Sequence, residues 1–137
     1  MSQEEELIIS LAKLQSQLVK RVDQHLSVHG ISFSEFLVLH HLHDAPNKTM
    51  RRIDLAESVG LSASGITRLV NPMQKNHLVQ KETNARDARV SLVQLSETGE
   101  ELYGYAKVSF EQSAEYLLTS LSKKQISTLL TLTNSLL

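Results

Sequence analysis

The chain has 137 residues, 41% hydrophobic and 21% charged, the composition of one globular domain rather than a disordered or fibrous chain. With no cysteine, disulfides, thiolate metal sites and thiol redox sensing are excluded. A net charge of −1 argues against a nucleic-acid partner until it is divided: residues 1–50 sum to −2, residues 51–89 to +3 and residues 90–137 to −2. Positive charge gathered in the middle third is the pattern expected if that segment alone faces phosphates.

The first segment places Leu7, Leu11, Leu14, Leu18, Val22 and Leu26 on one face of a long amphipathic helix that Gly30 ends. Ser32 and Glu35 form a capping box that opens a second helix through Phe36, Leu39 and Leu42, broken at Asp44-Ala-Pro-Asn47. Residues 50–59 and 62–77 read as two short helices joined at Gly60. Val79–Glu82 and Val90–Leu95 read as two strands, with the polar stretch 83–89 as the hairpin tip. Ser96 caps a further long helix through Leu102, Ala106, Phe110, Leu117 and Leu121, and Ser122 with Gln125 opens a last one. The order is ααααββαα. Aromatic residues are scarce (three Phe, three Tyr, no Trp), so a core of small aliphatics would gain from burying the terminal helix faces in a homodimer.

Between Arg52 and Asn71 the spacing suits a helix-turn-helix. Ala56 is small where two helices would approach, Gly60 supplies the turn, and Ile66 is an aliphatic inside the second helix. That second helix then carries Ser62, Ser64, Thr67, Arg68 and Asn71. These are the short polar and basic side chains that can bond base edges or phosphates from a major groove. An ordinary αα-hairpin would not call for such a face. At the hairpin, Arg86 and Arg89 could reach a minor groove. Asp87 would repel phosphate and fits better as an intramolecular partner holding an arginine in place.

Together Ala56…Gly60…Ile66, Leu78-Val79, Arg86-Asp-Ala-Arg89 and Leu95-Ser-Glu-Thr-Gly99 resemble the MarR family of transcriptional regulators over essentially the whole chain. The resemblance implies a mainly α fold with a small β-hairpin wing: a winged helix-turn-helix unit at 31–99, with dimerisation helices at 1–30 and 100–137. It implies a homodimer gripping a pseudo-palindromic site on double-stranded DNA. Ser62, Ser64, Thr67 and Arg68 would lie in the major groove, Asp87 would orient the wing and Arg89 would enter the minor groove. It further implies a repressor released by a small aromatic or anionic effector. Two residues depart from the family pattern. Pro72 lies inside the reader helix, where it should kink it, and His77 stands where a helix-ending glycine is usual.

The six histidines include the pairs His25/His29 and His40/His43 at helical spacing, but no metal ligand set is recognisable, and no metal or cofactor is expected. No phosphate loop, cysteine nucleophile or H-E-x-x-H motif points to an enzyme. The rival to DNA binding is a winged helix that binds protein, which should expose apolar anchors on its wing. No run approaches the ~20 apolar residues of a membrane span, and Glu4–Glu6 are unlike a signal peptide. A cytoplasmic address is expected.

Overall fold

The computed structural model describes residues 1–83, 86, 87 and 89–137. Ser2 accepts a hydrogen bond from the Glu5 amide at 3.1 Å and starts α1 (Gln3–Leu26), whose first turn holds Glu4, Glu5 and Glu6 against the positive end of the helix dipole. Of its apolar stripe only Val22 and Leu26 are buried. Leu7, Leu11 and Leu14 project beyond the core, 53%, 38% and 45% exposed. A single turn, Ser27–His29, leads to Gly30 at φ 73°, a left-handed position that costs glycine nothing. The capping box then forms as expected: Ser32 Oγ accepts from the Glu35 amide (3.2 Å) and Glu35 Oε1 from the Ser32 amide (2.9 Å). It opens α2 (Phe33–Asp44), which lies at the centre and buries Phe36, Val38, Leu39 and Leu42.

Downstream of Pro46 comes an element the sequence did not announce, the strand β1 (Thr49–Arg51). The chain continues through α3 (Arg52–Val59), Gly60 at φ 82°, α4 (Ala63–Lys75), β2 (Val79–Thr83) and β3 (Ser91–Leu95). The wing is therefore a three-stranded antiparallel sheet of order β1-β3-β2, with Arg51 opposite Leu92 and Val79 opposite Leu95. Three residues are too few to show an alternation. β1 is a strand because the free edge of β3 satisfies its backbone. The same pairing delays the first helix of the motif from the expected residue 50 to Arg52.

Pro72 does not break the reader helix, which runs through it to Lys75; its ring lies on the exposed face. The helix then closes at His77, φ 63°, with the Leu78 amide bonded to the Met73 carbonyl at 2.9 Å. His77 thus occupies the left-handed terminal position usually given to glycine, which histidine tolerates better than bulkier residues do.

Ser96 caps α5 (Glu97–Leu117) by accepting from the Gly99 amide at 2.9 Å. Gly99 is required by close approach: a Cβ there would lie 2.0 Å from the Leu78 carbonyl oxygen. The helix ends at Leu117, short of the expected Leu121, and α6 (Lys123–Leu136) follows with its capping box. Tyr103 and Ala106 of α5 share one core with α2, α3, α4 and the sheet, whereas α6 buries nothing. Among the described residues no helix is long and apolar enough to cross a membrane.

Candidate nucleic-acid interface

α4 is amphipathic in the way a groove-binding helix must be. Ile66, Val70 and Met73 are fully buried, which fixes the rotation of the helix about its own axis. Ala56 and Leu55 of α3 are buried beside them. The outward stripe is Ser64, Arg68, Asn71 and Lys75, all exposed and spaced by four, three and four residues. No acidic residue occurs between Ala63 and Lys75, so this face is wholly neutral or positive. Lys75 was absent from the sequence-based set, although its spacing from Asn71 could have revealed it.

All three of the expected reader hydroxyls already have a partner within the protein. Ser62 caps the helix, its Oγ accepting from the Gly65 amide at 3.0 Å and lying 3.3 Å from Ser64 Oγ. Thr67 is half-buried and accepts from Arg52 Nη1 at 3.1 Å, which occupies one of its two acceptor sites. Ser64 shares that contact with Ser62 yet is exposed, and Arg68 and Asn71 are exposed beside it.

On the wing, the arginine that Asp87 holds is Arg89. Arg89 donates from Nε to Asp87 Oδ1 and from Nη2 to Oδ2, both at 3.0 Å, and its backbone amide donates to Oδ1 at 3.0 Å. The Arg89 side chain hydrogen bonds, reinforced by that amide, hold the Asp87 carboxyl below the usual carboxylate range. The guanidinium is raised in turn and keeps its proton. The Arg89 side chain remains 90% exposed, so the fork orients the guanidinium without withdrawing it from solvent. Arg86 is exposed on the same segment. The rest of the expected hairpin tip, Asn84, Ala85 and Ala88, lies outside the described residues.

Against this geometry the comparisons are specific. Residues 29–90, which run from the end of α1 to the edge of β3, match the model of the MarR family. That stretch of the chain is similar to the MarR family. Its fold is shared by solved MarR-family regulators: Sco3205 from Streptomyces coelicolor, in complex with DNA (TM-score 0.89, 20% identity, 99% of this chain and 87% of that one); a cysteine-to-serine mutant of MarR from E. coli complexed with operator DNA (0.84, 20%, 99% and 99%); and the organohalide-sensing regulator RdhR-CbdbA1625 in its 2,4-dichlorophenol-bound form (0.87, 16%, 99% and 80%). MarR-family proteins are transcriptional regulators, not enzymes.

Four of the histidines pack against α5. His25 Nδ1 meets Ser113 Oγ at 2.6 Å and His29 Nε2 meets Ser109 Oγ at 2.7 Å, two rungs one helical turn apart that hold α1 to α5. His40 Nδ1 meets the Tyr103 hydroxyl at 2.8 Å, and the His43 ring lies tilted at 34° against the Tyr103 ring, centroids 4.7 Å apart. Among the described residues no three His, Asp or Glu side chains are grouped to hold a metal.

Proposed function

We propose that this protein is a sequence-specific DNA-binding repressor that acts as a homodimer on a pseudo-palindromic operator in the cytoplasm and is released by a small aromatic or anionic effector. The observation that carries the DNA reading is the pairing of two cationic features on one side of the core: the acid-free Ser64–Arg68–Asn71 stripe, and Arg89 held out from the wing by Asp87. A helix face of short polar and basic side chains suits the major groove, and an exposed guanidinium on a β-wing suits the adjacent minor groove. Ser62, Thr67 and Arg86 border these features and complete the contact set. The DNA complexes of Sco3205 and of the E. coli mutant support the same use of the same fold. The dichlorophenol-bound relative supports an aromatic effector.

The homodimer is supported by surface area. The single chain exposes 9724 Å², whereas a compact monomer of 15.3 kDa exposes about 7,100 Å². The excess, about 2,600 Å², comfortably exceeds the roughly 800 Å² that each partner buries in an ordinary interface. Much of the apolar part lies on α1 and α6, where Leu7, Leu14, Leu129, Leu132 and Leu136 are 45% to 73% exposed.

Fluorescence anisotropy with the protein's own upstream duplex and a scrambled duplex, over a salt series, tests the reading. Tighter, salt-sensitive binding to the upstream DNA is expected. Failure on that duplex and on a genome-derived fragment library would transfer the wing to protein recognition.

A further inference from the structure

Arg52 is absent from the contact set above, yet it has an uncommon setting. It is the first residue of α3, directly after β1 leaves the sheet. The backbone ladder from β1 to β3 ends with Arg51 opposite Leu92. One residue further toward the wing tip, Arg52 Nε donates to Ser91 Oγ at 3.3 Å, so a side chain continues the ladder where the backbone has turned into helix. The same guanidinium donates from Nη1 to Thr67 Oγ1 of α4 at 3.1 Å. One side chain therefore bonds both the base of the wing and the reader helix.

Stability alone explains this poorly. A cation in the first turn of a helix opposes the helix dipole. The third nitrogen, Nη2, is buried without a hydrogen-bond partner among the described residues, which costs free energy. Both partners of Arg52 are neutral hydroxyls. What the fork does supply is a fixed relation between two surfaces: Ser91 is two residues from Arg89, and Thr67 is next to Arg68.

We propose that Arg52 is a positioning residue that ties the wing to the recognition helix and so sets the spacing between Arg89 and the Ser64–Arg68–Asn71 stripe. Reading two grooves at once requires that spacing to match the duplex, and holding it before binding removes an ordering cost. Non-specific binding, driven by phosphate charge, needs no such match. The proposal rests on the DNA-binding reading but adds a residue and a role to it.

Arg52→Lys tests it, because lysine keeps the charge and cannot span the two-pronged contact. The upstream duplex should be bound about fivefold to thirtyfold more weakly, with scrambled-duplex affinity and the salt slope unchanged. In DNA-free protein, exchange of the amides that bond across the β2–β3 pairing should quicken about threefold or more. Ser91→Ala should shift both readouts the same way by less, and should add little on top of Arg52→Lys. Wild-type exchange together with a wild-type ratio of specific to scrambled binding in Arg52→Lys would overturn the proposal. So would Arg52→Gln weakening both duplexes equally with the salt slope lowered by about one, the mark of a phosphate contact. If the wild-type protein does not discriminate the duplexes, the DNA reading fails by itself, and the exchange comparison alone decides whether the tether exists.

Discussion

The Asp87–Arg89 fork places a carboxylate where a DNA-binding surface would avoid one, and its geometry explains why. Asp87 accepts three hydrogen bonds from Arg89 and uses them to fix the direction of a guanidinium that stays in solvent. Replacing Arg89 by alanine should weaken specific binding by about 1–3 kcal/mol, measured by anisotropy at fixed salt. Asp87→Asn has a different signature. It removes a repulsive charge yet loosens Arg89, so scrambled DNA should bind at least as well while the specificity ratio falls about threefold to tenfold. Equal losses on both duplexes in Asp87→Asn would contradict an orienting role. This pair was legible in the sequence because its partners are two residues apart. The involvement of Thr67 with Arg52 was not, because that contact joins residues brought together by the packing of α3 on α4.

At the scale of elements, helices announced themselves through caps: Ser2, Ser32, Ser62, Ser96 and Ser122 each accept from the backbone amide three residues on. β1 escaped because a three-residue strand has no period, and α4 continues through Pro72, whose ring lies on the exposed face while the other face is locked in the core. The junction of wing and α5 is the tightest packing in this group. Gly99→Ala would drive a methyl into the Leu78 carbonyl and against Leu95 Cδ1, 2.9 Å away, and should lower stability by about 1–3 kcal/mol in denaturant melts. A melt indistinguishable from wild type would show that α5 can slide freely.

Helix α2 carries a second element-scale prediction. Burial, aided by the neighbouring His40 and opposed by Asp44, lowers the His41 pKa below its ordinary 6.5. The folded state therefore disfavours the protonated form. The resulting stability is complete above the unfolded pKa and is lost as the pH falls from about 6.5 through the folded value. Thermal midpoints should drop between pH 7.5 and 5.5, and the drop should be shallower in His41→Gln. Parallel curves for the two proteins would exclude His41 as a source.

For the whole molecule, the winged unit and the terminal helices are not energetically separate. Val22 and Leu26 of α1, with Tyr103 and Ala106 of α5, sit in the same core as the helix-turn-helix. Deleting everything before Ser32 would thus damage the winged unit as well as any dimer. Substitution on α6 is cleaner, since none of its leucines is buried: Leu132 and Leu136 are 58% and 73% exposed. Sedimentation equilibrium should give twice the 15.3 kDa chain mass for the wild type and a folded monomer for Leu132→Glu with Leu136→Glu. A wild-type monomer at micromolar concentration would remove the dimer from this account.

The central claim is that α4 and the wing together contact DNA, and amide chemical-shift mapping of the isotope-labelled protein during titration with duplex DNA tests it most directly. The account predicts that the perturbed amides cluster at residues 62–71 and 86–91, with α6 unmoved. Perturbations confined to α1 and α6, or absent from the wing while α4 responds, would contradict it.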